Sequence, residues 1–244
     1  MYPRRWLIAS GLGAFALGLL LCAPARLLVS ALPLDAWSMS LRGASGTLLA
    51  GEAGLATRAG PLHLTWRIRP AALLLLRAEM NWQGVMNGVQ AEGGMAVSPL
   101  GGRLVVHRAD VDAGAMSRML APWRAQVDQS LALRRAELAV GFSGLVRSAD
   151  GLLNWGPGTL RVDGRAPLAL PALRGRLRQD GESVELLVDS ERAPEEALSR
   201  TRYDARSREL HVVLYQRGAD LLGQPSAAGR APETPVFEMR QAFR

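Results

Sequence analysis

The chain has 244 residues, 48% of them hydrophobic but only 5% aromatic, so a core must be built mainly from Leu, Val and Ala. Its formal net charge is +7 with every basic residue an arginine, and these are spread along the chain with no basic block or stacking motif, which excludes the concentrated positive face of a nucleic-acid binder. Cys22 is the single cysteine, which excludes an intramolecular disulfide.

The first element is an apolar run. Residues 1–5 form a short tail carrying Arg4 and Arg5, and residues 6–25 contain no charge. At about 1.5 Å per residue, a helix of that length crosses a hydrocarbon core of about 30 Å. The two arginines before it, against Arg26 alone after it, favour a cytoplasmic N-terminus and export of everything beyond residue 30. Trp6 suits an interfacial anchor, and Cys22 is a small hydrophobe within the run. The rival reading is a cleaved signal peptide, because Ala23-Pro24-Ala25 has the small-x-small form of a cleavage site. Against it stand the length of the run, Pro24 inside the site, and the return of apolar residues at Leu27-Leu28-Val29. A lipoprotein signal ending at Cys22 is disfavoured by Leu21, where a small residue is needed.

Beyond residue 30 the pattern is strand and turn. In 62–68, Leu62, Leu64, Trp66 and Ile68 alternate with His63, Thr65 and Arg67, which predicts a half-buried strand. Residues 104–111, 137–142, 183–188 and 209–215 predict four more strands. Turn chemistry is read at Gly51, 59–61, Gly93-Gly94, Gly101-Gly102, Asp150-Gly151, Asp163-Gly164 and Asp180-Gly181. Ala71–Leu76 is too short to span and reads as a buried turn of helix or a core strand. Helical signals are confined to 112–127, interrupted at Pro122, and to 194–200, with Glu195 and Glu196 at a solvated helix start. The organisation expected is therefore a β-rich domain over 31–217 and a flexible tail over 218–244, where Pro, Ala, Ser and Gly accumulate. Leu41–Leu48 and Phe142–Trp155 are loosely alike, the mark of a weak duplication.

Catalytic and ligand-binding patterns are missing. His63, His107 and His211 fall in separate strand candidates without metal-ligand spacing. Gly43-Ala-Ser45-Gly46 and Gly141-Phe-Ser143-Gly144 only approach a nucleophile elbow, and the paired glycines lack the Gly-Lys-Ser/Thr ending of a phosphate loop. Asp110 and Asp112, two apart, are expected on one face of a strand with no oxygen-rich loop behind them. The reading is a non-enzymatic chain with no catalytic residue, no cofactor and no metal. Trp37, Trp66, Trp82 and Trp155 are expected to pack in a core or to line a groove.

One ordered set of residues carries a resemblance. Gly43-Ala-Ser45-Gly46-Thr47-Leu48-Leu49-Ala50-Gly51, then Gly54, then Leu64-Thr-Trp66-Arg-Ile-Arg-Pro70 with Leu73-Leu74, resembles the type II secretion system protein N family. That family has a Ser-Gly-Thr-Leu-x-x-Gly turn followed by a strand ending in Trp-x-x-x-Pro. The match is clear over about residues 1–100 and vague beyond. The resemblance implies an inner-membrane accessory component of a Gram-negative secretion machine that exports folded proteins from the periplasm across the outer membrane. Its partners would be other subunits of that machine. The fold expected is one transmembrane helix followed by an antiparallel, meander-like, curved β-sheet with a few short helices. Gly43, Ser45, Gly46, Thr47, Gly51, Trp66 and Pro70 are expected to be structural, Pro70 stopping strand pairing. An anchored β-meander with Gly-rich turns also resembles the periplasmic lipid-handling proteins of the AsmA type, in which a sheet shields an acyl chain in an apolar groove.

Overall fold

The computed structural model describes residues 18, 22–30, 39–57, 60–73, 75–223 and 231–242, and the chain divides into two units, 1–87 and 88–244. Both are mainly β and antiparallel, and the strands are joined mostly to their sequence neighbours. Among the described residues no helix is long and apolar enough to cross a membrane. The span expected over 6–25 lies outside the described residues except for 18 and 22–25.

In the first unit a short helix, α1 (Ala25–Ser30), precedes β1 (Ser40–Gly46), β2 (Ala50–Thr57) and β3 (Gly60–Ile68); α2 (Pro70–Leu73) and β4 (Ala78–Met86) follow. The four strands pair in chain order. Residues directly opposite one another share a face. Trp66 faces Trp82, Leu64 faces Ala53, and Leu62 faces both Leu55 and Met86, so the alternation read in the sequence places these side chains together. Ala25, Ala53, Leu55 and Trp66 form the buried cluster, with Met39, Leu62, Leu64, Ile68 and Met80 packed against it. The other face carries Ser45, Glu52, Thr65 and Gln83. The expected burial of Ala71–Leu76 is not found. Only Pro70–Leu73 is helical and none of it is buried, while Leu75 and Leu76 are 79% and 76% exposed. A run of this length, bracketed by Arg69 and Arg77, which both reach Glu79, is held at the surface by its charged ends.

The second unit begins with β5 (Val89–Ser98) and β6 (Gly101–Val111), followed by α3 (Ala113–Leu120) and a single 3₁₀ turn over Ala121–Trp123 that contains Pro122. Then come β7 (Ala125–Val127), β8 (Leu131–Gly141), β9 (Val146–Trp155), β10 (Gly158–Val162), β11 (Leu168–Leu170), β12 (Leu173–Asp180), β13 (Ser183–Ser190), β14 (Ala193–Asp204), β15 (Glu209–Tyr215), α4 (Gln216–Leu221) and β16 (Pro235–Ala242). The long strands pair in the order β5-β6-β8-β9-β12-β13-β14-β15-β16, and β11-β10-β7 form a separate three-stranded sheet.

Several expectations change here. Asp110 and Asp112 do not share a strand face: β6 ends at Val111, and Asp112 caps α3 by accepting the Ala115 N–H at 2.6 Å. The segment 194–200 is not helical but lies inside β14, where Ala197, Ser199 and Arg200 pair with β13 and the last two also with β15, so strand pairing outweighs a weak local preference. Glu196 there pairs with Arg217 at 2.9 Å. Gly93-Gly94 and Asp150-Gly151, read as turns, lie within β5 and β9, whereas Asp180-Gly181 does form the β12–β13 turn, Gly181 having φ +61°. Residues 235–242, in the stretch expected as a tail, form β16.

The two faces of this sheet are chemically distinct. One row across the strands reads Leu133, Leu153, Gly175, Val188, Ser199, Leu214, Phe237, and the next reads Leu177, Leu186, Thr201, Val212, Met239. On the opposite face the rows are Arg178, Glu185, Arg202, His211, Arg240 and Arg176, Leu187, Arg200, Val213, Glu238. Burial along β13 runs against the usual order, because Ser183, Glu185, Leu187 and Asp189 are buried and Val184, Leu186 and Val188 only half-buried. The charged face is closed by its own arginines. Asp189, 0% exposed, is flanked by Arg174 at 3.3 Å and Arg176 at 2.8 Å; Glu185, 2% exposed, by Arg178 and Arg200 at 2.6 Å each. Leu187 lies opposite both Arg176 and Arg200, where long arginine stems shield apolar surface.

Removing a buried acid leaves its arginines uncompensated. Glu185→Ala is expected to lower the unfolding free energy by about 2–3 kcal/mol, below the usual range for a broken buried pair because Arg178 and Arg200 are half exposed. Glu182→Ala, whose partner Arg206 is largely exposed, is expected to change it by less than about 0.5 kcal/mol. Urea unfolding followed by circular dichroism measures both.

Four carboxylates sit below their ordinary pKa. The Arg108 guanidinium holds Asp110 down, the Thr159 backbone N–H holds Asp128, the Ser207 and Arg206 N–H groups hold Asp204, and Arg240 with His211 holds Glu238. Lowered acids stabilise the fold above their unfolded pKa and lose that contribution as pH falls through the folded value. The unfolding midpoint is therefore expected to drop below about pH 4, and less steeply in Asp128→Asn, as a pH series of thermal melts reads directly.

Candidate functional site

The residues of the Ser-Gly-Thr-Leu motif all meet at one end of the first unit. β1 and β2 are joined through Thr47, Leu48 and Leu49, with Gly46 opposite Gly51. Gly46 has φ +88°, a conformation that disfavours any side chain, and a Cβ there would stand 2.5 Å from the Ala50 carbonyl oxygen. Thr47 closes the turn: its backbone N–H donates to the Ala50 carbonyl at 2.8 Å, and its hydroxyl accepts the Ala50 N–H at 3.3 Å. Ser45 donates to Glu52 at 2.8 Å across the polar face. Gly43 follows a register shift between Leu41 and Gly43 that bends β1.

Gly51 is opposite Trp66 on β3. A Cβ at Gly51 would lie 2.7 Å from the Trp66 indole, 2.7 Å from the Ser45 carbonyl oxygen and 3.0 Å from the Ala25 Cβ. The absent side chain is thus the space the indole occupies. The indole N–H in turn donates to the Leu48 carbonyl in the turn at 3.1 Å. Trp66 is 5% exposed, so it is a core residue rather than a groove wall. β3 ends at Ile68, the Arg69 N–H still bonds the Glu79 carbonyl at 2.8 Å, and Pro70 opens α2, as expected of a residue that stops pairing.

What the sequence did not indicate is that this turn holds the last residues of the apolar run. Pro24 forms an antiparallel bridge with Thr47, and the Leu48 N–H donates to the Ala23 carbonyl at 2.8 Å. Ala25, 1% exposed, packs in the same cluster as Trp66. The triplet Ala23-Pro24-Ala25, which has the form of a cleavage site, is here docked on the turn, Pro24 by a β-bridge and Ala25 as the first residue of α1. Cys22 before it is exposed. The only advance signal was the smallness of these residues, which lets two backbones approach.

No chemistry gathers around this site. His63 stands 3.5 Å from Glu52 and His211 2.7 Å from Glu238, each a surface pair, while His107 is exposed in β6. Among the described residues no group of His, Cys, Asp or Glu is arranged to hold a metal. Of the remaining tryptophans, Trp82 and Trp155 are half-buried, and Trp37 lies outside the described residues.

Gly51→Ala is expected to destabilise the chain by about 1–3 kcal/mol, since the indole and two backbones have to shift. Gly54→Ala, whose Cβ would meet nothing nearer than 3.9 Å, is expected to be neutral or to stabilise by up to about 1 kcal/mol. Equilibrium urea unfolding of the two variants side by side tests the packing argument.

A search of the curated proteins finds no match to the chain, and a search of the solved structures finds none either. A family model, that of type II secretion system protein N, matches residues 38–200, about two thirds of the chain, and includes the whole hairpin with Trp66 and Pro70. The turn, the glycines and the tryptophan that carried the resemblance are thus one packed unit within the matched region, and the chain belongs to the type II secretion system protein N family, a component of the secretion machinery of the cell envelope.

Proposed function

We propose that this chain is a non-enzymatic accessory component of the type II secretion machine, supporting export of folded proteins from the periplasm across the outer membrane through contacts with other subunits. In this reading residues 6–25 form a single inner-membrane span with a cytoplasmic N-terminus, and the β-rich remainder lies in the periplasm. Family membership supports a role in type II secretion and contact with its other components. The observation that carries the finer reading is the docking of Ala23, Pro24 and Ala25 on the Ser-Gly-Thr-Leu hairpin. Cleavage after Ala25 would remove the residues the hairpin holds. A retained span instead ties the sheet to the bilayer through a short, hydrogen-bonded joint, and open strand edges are then available for pairing with partner strands.

A second reading is favoured by the half-open apolar face of the second unit. Leu177, Leu186 and Val212 lie in one row and are only half-buried, and Phe237 and Met239 beside them are 53% and 38% exposed. A largely apolar face of this kind, interrupted at Ser199 and Thr201, suits an acyl chain, the mode of the AsmA-type lipid-handling proteins.

Crosslinking and pull-down from membranes separates the two. The full chain is compared with a version lacking residues 1–30 and exported by a foreign signal. The accessory reading expects other secretion subunits with the full chain and their loss on truncation. Recovery of phospholipid with no secretion subunit would replace it with the lipid reading.

A further inference from the structure

We infer that β16 is a self-association edge, on which a second copy of this chain adds antiparallel across a two-fold axis at Met239. Among the described residues β16 pairs with β15 and with no other strand. In an antiparallel strand every second residue directs its N–H and C=O to one neighbour and the residues between direct theirs to the other, so half of Pro235–Ala242 presents these groups away from β15. All but one of its residues are exposed.

The usual protections of an edge are missing from this strand. It has no lysine, its one proline is at its first residue, and its single register irregularity, which leaves Val236 unpaired between Pro235 and Phe237, is also at that end. β1, which likewise pairs on one side only, differs: it is bent by a register shift near Gly43 and is glycine-rich. The charges of β16 do not repel a partner strand, because Glu238 and Arg240 have opposite signs and pair with each other at 3.0 Å.

The sequence of the strand selects both the partner and the register. A two-fold axis perpendicular to the sheet keeps each face on its own side, so a residue opposes only residues of its own face. Centring the axis on Glu238 or on Arg240 sets like charges against each other. Centring it on Phe237 leaves Glu238 opposite Val236 and shortens the overlap. Centring it on Met239 places Glu238 opposite the Arg240 of the second copy and Arg240 opposite its Glu238. Phe237 then opposes Gln241, and the two Met239 side chains meet on the apolar face. That register pairs residues 237–241 and gives Phe237, 53% exposed, and Met239 a neighbouring surface to pack on. A strand with this charge order, opposite signs two residues apart about a central apolar residue, is complementary to itself.

Cysteine crosslinking of the full chain in detergent, in a Cys22→Ser background, tests the register. Directly opposed residues have Cα atoms about 4.5–5.5 Å apart, within disulfide reach. Met239→Cys is expected to give a disulfide-linked dimer on mild oxidation. Phe237→Cys alone is expected to give none, and Phe237→Cys mixed with Gln241→Cys is expected to give linked pairs. Glu238→Arg is expected to weaken self-association roughly tenfold by sedimentation, and adding Arg240→Glu to restore it. A chain that stays monomeric at tens of micromolar (about the range where such contacts are read), with no link at position 239 and unchanged circular dichroism, overturns the proposal. So does linkage at position 237 alone that equals linkage at 239. Neither result bears on the secretion role, which the pull-down reads separately.

Discussion

The indole of Trp66 occupies the space that a side chain at residue 51 would fill, and the first unit is organised around that exchange. A glycine on β2 leaves room for a large aromatic from β3 beside the β1–β2 turn, where its N–H reaches the Leu48 carbonyl. The aromatic is the largest side chain of the buried cluster, and Leu62, Leu64, Ile68, Met39 and Met80 pack against that cluster. Gly46 does the complementary work by turning the chain where no side chain fits. With the turn fixed, Thr47 and Leu48 present backbone groups to Ala23 and Pro24, and Ala25 closes over the indole. A motif with no catalytic group is thus explained in full by packing and backbone hydrogen bonding. Its product is a joint between the apolar N-terminal run and the sheet.

The second unit solves a different problem. Its long strands alternate charge with hydrocarbon, but along β13 the more buried face is the charged one. Two acids on β13 each collect two arginines, and the arginine stems cover Leu187 and the carboxylates alike. An all-arginine composition suits this arrangement, since a planar guanidinium can donate to one carboxylate while its stem lies over a neighbour. The apolar rows on the opposite face are left half-buried. Among the described residues, the half-buried apolar rows and the outer side of β16 are the surfaces this arrangement leaves uncovered.

The strands were legible because their periodicity is strong. The alternation at 62–68 and the β-branched runs at 104–111, 183–188 and 209–215 are visible without neighbours, and each lies inside an observed strand. Where local signals are weak, the ladder decided. Glu195 and Glu196 after a proline suggest a helix start, yet pairing of Ala193 and Ala197 with β13 on either side of them draws the segment into β14. Gly93-Gly94 and Asp150-Gly151 have turn composition, but at Gly151 a missing side chain makes room for Ala136 and Leu177 across the sheet. Asp112 fell one residue beyond the end of its strand, and that single step changed it from a face residue to a helix cap.

The sequence by itself determined the β-rich class, the absence of any recognisable catalytic pattern, and the ordered motif from Gly43 to Pro70 that marks the family. Those depend on residue type, spacing and order, which are properties of the chain alone. The tertiary structure decided how the motif packs. That Gly51 is small because of Trp66, that Ala23 to Ala25 rest on the turn, that Glu185 and Asp189 are buried among arginines, and that β16 ends the sheet with an open edge are all facts of pairing. Each depends on strands distant in sequence being brought into register, and no local pattern contains that information.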